Sequence, residues 1–113
     1  MNNYYIKIIL LENCPYSIMA IKLLKLNNIK HTIFYVKSDN KTNYITDKIK
    51  TFPQIYLKNI NKKGNLLLGG YSDLNNFILT FKNKNYDINN INNFIENNKW
   101  SMKATLRLIE LIN

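Results

Sequence analysis

A chain of 113 residues with 46% hydrophobic and 20% charged residues has the composition of one globular domain, large enough to bury a core, and not of a disordered segment. Its longest apolar runs, residues 8–11 and 18–21, are far too short to cross a bilayer, so no membrane role is expected. The formal charge of +9 raises a nucleic-acid partner, but Arg107 is the sole arginine and the lysines are scattered without dense runs or aromatic interleaving, so no specific nucleic-acid site is read.

One cysteine cannot form an internal disulfide, which fits a reducing compartment. No basic region followed by a long apolar stretch opens the sequence. No secretory signal is therefore read, and the expected location is cytoplasmic.

Residues 4–11, broken only by Lys7, form a β-branched, aromatic and leucine run, the pattern of a strand buried on both faces. Asn13, Cys14 and Pro15 close it and open a helix, because proline at the first helical position loses no hydrogen bond. That helix is predicted over residues 15–27, with Ala20, Leu23 and Leu24 on the core face and Lys22 and Lys25 outside. Asn27 and Asn28 end it. Residues 31–36 read as a second strand, parallel to the first because a helix intervenes.

The polar stretch 37–50 is predicted to hold a short helix around residues 43–50. Strands at 54–57 and 65–68, joined by a turn-rich segment, suit an antiparallel hairpin. Gly69 and Gly70 break the second of these, and Ser72 or Asp73 is the expected cap of a helix reaching residue 82. Further helices are predicted from Asp87 to about residue 97 and over residues 100–112. The order βαβ, connector, hairpin, helix is that of an α/β thioredoxin fold: a four-stranded mixed β-sheet flanked by helices, here with an extra C-terminal helix.

Cys14 stands directly before an N1 proline, at the tip of the first helix. Free N–H groups and the dipole of a helix N-terminus stabilise a thiolate, so Cys14 is read as a reactive nucleophile and not as an inert core cysteine.

Cys14-Pro15-Tyr16-Ser17 resembles the Cys-Pro-Tyr-Cys active site of glutaredoxins, with serine in place of the second cysteine. Thr51-Phe52-Pro53-Gln54-Ile55-Tyr56 is similar to that family's Thr-Val-Pro segment, whose proline is cis and faces the cysteine. Gly69-Gly70-Tyr71-Ser72-Asp73-Leu74 resembles its glycine pair followed by an acid that grips glutathione. The resemblance spans residues 4–97 and leaves the segment from residue 98 unexplained.

It implies a glutaredoxin domain over residues 1–97 with a helical extension over 98–113. Cys14 is then catalytic and Pro15, Tyr16 and Ser17 support it. Glutathione is the cosubstrate, bound by Lys50, Thr51, Phe52, Pro53, Gly70, Tyr71, Ser72 and Asp73.

Two departures matter. Where the family usually carries Lys or Arg three residues before the cysteine, this chain has Leu11, followed by Glu12, which should weaken glutathione binding unless Lys48 or Lys50 compensates. Ser17 leaves no second sulfur nucleophile, which limits the chain to a monothiol route, removal of glutathione from protein mixed disulfides. Ser17 is equally a candidate hydrogen-bond donor to the sulfur and a plain helix-turn hydroxyl.

Two other functions compete: a glutathione-ligated [2Fe–2S] carrier, disfavoured by Pro15, and a thioredoxin-fold binding module with weakened catalysis, favoured by Leu11 and the extra helix. In that last helix Met102, Ala104, Leu106, Leu108, Ile109, Leu111 and Ile112 leave only a narrow stripe of Lys103, Arg107 and Glu110. Docking on its own domain with Trp100 as anchor is expected for part of this surface, and contact with a second copy or a partner protein for the rest.

Overall fold

The computed structural model describes residues 3–82, 86–98 and 100–113. Strand β1 (Tyr4–Leu11) lies inside a four-stranded sheet of order β2-β1-β3-β4. It runs parallel to β2 (His31–Val36), with Ile8 opposite Ile33, and antiparallel to β3 (Gln54–Asn59), with Ile8 opposite Ile55. The fourth strand, β4 (Leu66–Gly69), pairs antiparallel with β3 across an irregularity between Ile55 and Tyr56. A run with no polar alternation suits the centre of a sheet: Ile6, Ile8 and Leu10 are buried on one face and Ile9 on the other.

Helix α1 (Pro15–Leu26) buries Ser17, Ala20 and Leu24, a spacing that keeps one stripe on the sheet. Leu23, expected on that face, is only partly buried beside the core. Asn28 ends the helix in the left-handed region at φ 55, and Ile29 N–H then donates back to Leu24 O at 3.0 Å.

The connector corrects the predicted helix at residues 43–50. A 3-10 helix occupies Ser38–Tyr44 instead, followed by a turn in which Thr46 Oγ1 accepts the N–H groups of Lys48 and Ile49 at 3.2 and 3.1 Å. Threonine and asparagine side chains offer the backbone local partners that compete with an α-helix, and here they win.

Three helices follow: α2 (Tyr71–Phe81), α3 (Ile88–Asn98) and α4 (Met102–Ile112). Asp87 and Asn90 exchange side-chain-to-backbone hydrogen bonds of 2.8 and 3.0 Å and so cap α3 reciprocally. Ser101 caps α4, its Oγ accepting Ala104 N–H at 3.1 Å, so Trp100 precedes that helix instead of belonging to it.

The main core lies on the sheet face that carries Ile6, Ile8 and Leu10, under α1, α2 and α4. Phe77 is its aromatic centre, with ring centroids 4.7 Å from Phe81, 5.1 Å from Phe94 and 5.7 Å from Trp100. Helix α4 contributes Thr105, Leu108, Ile109 and Ile112 to this core and leaves Met102 and Leu106 exposed. The Lys82 ammonium donates to Asn27 O and Ile112 O, placing a cation at the carbonyl ends of α1 and α4. Among the described residues no helix is long and apolar enough to cross a membrane.

Candidate active site

The turn from β1 into α1 uses Asn13 in the left-handed region at φ 58, a conformation that asparagine tolerates better than most residues. Cys14 then takes the N-cap position with an extended backbone and Pro15 opens the helix. The Cys14 N–H donates to Leu11 O at 3.3 Å, which ties the cysteine loop to the end of β1. Cys14 is partly buried beside Ile9, Val36 and Phe52, and its Sγ donates to Phe52 O at 3.7 Å. Tyr16 stands out into solvent, 58% exposed, while Ser17 is buried.

Ser17 makes a contact that neither role read for it named. Its Oγ accepts the Leu11 N–H at 3.2 Å, so this oxygen binds the last residue of β1 and pins α1 to the strand.

The second motif meets the first through its backbone. The Phe52–Pro53 peptide bond is cis, and the Phe52 carbonyl is the group that accepts from Cys14. Gln54, buried directly after Pro53, donates from Nε2 to Tyr44 O at 2.7 Å and fixes the start of β3 against the connector. Gln54 belongs to the site's support and no sequence signal marked it, since a strand glutamine normally reads as solvent-facing.

At the third motif the structure corrects the expected cap. Gly70, not Ser72 or Asp73, is the N-cap of α2, and Asp73 reaches back so that its Oδ2 accepts Gly70 N–H at 2.8 Å. The need for glycine sits at residue 69. Its φ of +125 is one that residues with a side chain rarely adopt, and a Cβ there would lie 2.2 Å from Asp73 Oδ2. The missing side chain at Gly69 thus makes room for the Asp73 carboxylate. Ser72 is exposed in the first turn of α2.

These segments enclose a cleft of about 240 Å3 lined by Tyr16, Thr51, Phe52, Gly70, Tyr71, Ser72 and Asp73. The rings of Tyr16 and Tyr71 face each other across 6.2 Å, joining the cysteine loop to α2. Pro53 is buried behind the cleft, its carbonyl 3.6 Å from where a Gly70 Cβ would stand. Lys50 is exposed and does not line the cleft, and Lys48 lies on a different groove with Thr46, Tyr56 and Trp100. Neither of the two lysines that could compensate for Leu11 lines the cleft.

Glu12, which follows Leu11, turns its carboxylate to the connector. Its carboxylate accepts the Ser38 N–H, which holds it below the usual carboxylate value of 4.5, with the Ser38 side chain and the Lys37 ammonium adding to the effect. A depressed folded value stabilises the fold above the ordinary value and loses that contribution as pH falls through the folded one. The melting-temperature difference between wild type and Glu12→Gln is therefore expected near pH 7 and should shrink at a pH below the usual carboxylate value of 4.5. Thermal melts at both pH values test this; an equal difference at both would detach Glu12 from Ser38.

Among curated proteins nothing matches the chain. The glutaredoxin family model matches residues 3–60, just over half of it, covering β1, α1, β2, the connector and β3. Cys14 and Pro53 fall inside the match and the Gly69–Asp73 segment beyond it. Four strands in this order, helices on the sheet and a cysteine at the first helix tip agree with that match, and the chain belongs to the glutaredoxin family of thiol–disulfide oxidoreductases.

Proposed function

We propose that the chain is a glutathione-dependent, monothiol oxidoreductase that removes glutathione from protein mixed disulfides through Cys14. The observation that carries this reading is the position of Cys14 at a helix N-terminus beside a cleft whose lining comes from all three motifs.

In the first step the Cys14 thiolate attacks the glutathione sulfur of a protein–glutathione disulfide. A Cys14–glutathione disulfide forms, the original S–S bond breaks, and its electron pair leaves on the protein thiolate, which takes a proton from water. In the second step the thiolate of a free glutathione attacks the same glutathione sulfur. Glutathione disulfide departs and the Cys14 thiolate returns. With one cysteine in the chain, no internal thiol competes for the intermediate.

Phe52 and the first turn of α2 suit a peptide-like ligand. The open N–H groups at the start of α2 favour a carboxylate, and the Asp73 carboxylate favours an ammonium; glutathione presents both on its γ-glutamyl end. Leu11 offers no cation to the other carboxylate of glutathione, so binding rests on the α2 side. A reducing compartment such as the cytoplasm supplies the glutathione this cycle consumes.

Asp73→Asn keeps an acceptor for Gly70 N–H and removes the charge. It is expected to raise KM for a glutathionylated peptide by about tenfold with kcat little changed. Steady-state kinetics with a parallel thermal melt test this. An unchanged KM in a folded variant would remove Asp73 from the binding site.

A further inference from the structure

A second hollow borders the cysteine loop. It has a volume of about 450 Å3, lies between α1 and β2, and is walled by Leu10, Leu11, Ile18, Ile21 and Tyr35. The strand order puts it on the β2 side of β1, while the Tyr16–Asp73 cleft lies on the β3–β4 side. Cys14, the N-cap of α1, lines neither hollow itself but belongs to the turn after β1, the strand that separates them. The loop is continuous with the second one: Asn13 lines it, and Leu11, part of its wall, accepts the Cys14 N–H.

The surface there is apolar and open. Ile18 is 55% and Tyr35 59% exposed, with Met19 and Ile33 also exposed on the same two elements. Single exposed apolar residues need no explanation, but a contiguous group lining a groove marks a contact surface. Lys22 and Lys25 are the charged residues of the lining, and no acid belongs to it. Leu11 has a double consequence: it removes a cation from the glutathione side and gives the groove an apolar wall next to the sulfur.

We propose that this groove receives the protein half of the mixed disulfide and selects an extended segment with an apolar side chain and acidic residues near the modified cysteine. The proposal rests on the transfer reaction above, and it adds the substrate class. A disulfide has two halves; the 240 Å3 cleft takes the glutathione half, which leaves the α1–β2 side for the other. By helix rise, Lys22 and Lys25 stand about 12 and 17 Å from Cys14 along α1. At about 3.3 Å per residue of extended chain, they meet acids about four and five positions from the modified cysteine.

The test compares three glutathionylated substrates: a peptide with an isoleucine beside its cysteine and glutamates four and five positions away, the same peptide with lysines there, and the small mixed disulfide of glutathione and mercaptoethanol. Wild type is expected to favour the acidic peptide over the lysine peptide by about tenfold in kcat/KM. The double variant Lys22→Glu, Lys25→Glu should reverse that order and leave the small disulfide within about twofold. Both lysines are exposed, so the fold is untouched. Equal rates for the two peptides in wild type, or an equal loss on peptide and small disulfide in the variant, would overturn the groove.

Failure of the underlying reaction looks different: none of the three substrates would turn over. Fluorescence anisotropy of the labelled, reduced peptides then decides the groove by itself. Tighter binding of the acidic peptide, lost in the double variant, upholds it as a binding surface; no difference between the peptides overturns it.

Discussion

Leu108→Ala is expected to destabilise the chain by about 2–5 kcal/mol, the range for truncating a fully buried leucine. Leu108 is 0% exposed and shares one core with Phe77, Ile6 and Ile8. The lost methyl groups leave a hole that the neighbouring Ile109 and Ile112, fixed on the same helix face, cannot fill. For a domain of this size the melting temperature should fall by on the order of 10–20 °C. Leu106→Ala, on the exposed side of the same helix, should change stability by less than about 1 kcal/mol. Denaturant melts of both variants check the contrast. Equal small effects would mean that α4 is held on the domain by something other than this packing.

Cys14→Ser is expected to lower the deglutathionylation rate by more than about a thousandfold, because no other sulfur nucleophile can take the glutathionyl group. The hydroxyl that replaces the thiol is close in size and sits at a helix N-cap, a position serine favours, so the melting temperature should not fall. A stable variant without activity separates the chemistry of the sulfur from its packing beside Phe52. Residual activity above about a tenth of wild type would place the nucleophile elsewhere.

The parts of the fold that were legible in the sequence are those where several signals agree. Strands β1 and β2 carry runs of β-branched and aromatic residues with no helical spacing, and both fall at the predicted residues. Pro15 admits only a helix start, and Asn27 with Asn28 supplies a stop, so α1 ends within one residue of expectation.

The connector was illegible for the opposite reason. Its Thr, Asn and Asp residues satisfy backbone groups locally, and no apolar period chooses between a 3-10 turn and an α-helix. In α4 the buried stripe is Thr105, Leu108, Ile109 and Ile112; Thr105 reads as polar, but its hydroxyl donates to Ser101 O four residues back and the side chain is fully buried. Met102 and Leu106 on the outer side made the helix seem apolar over most of its surface, when its core face is an ordinary one.

At the candidate site the motifs named the participants but not their partners. Ser17 and Glu12 each carry a polar group whose partner is backbone brought in by the fold: Leu11 and Ser38. Spacing along the chain has no access to such choices. The α1–β2 groove was invisible for the same reason, since its walls come from residues up to 25 positions apart, Leu10 and Tyr35, that only the parallel register places side by side.

The most direct test of the account is intact-mass measurement of the reduced chain mixed with a glutathionylated peptide and no free glutathione. The predicted result is one glutathionyl group per chain, mapped to Cys14, with one peptide thiol released for each; adding glutathione should then restore the unmodified mass and yield glutathione disulfide. A chain that stays unmodified, or that captures the peptide instead of the glutathionyl group, would contradict it.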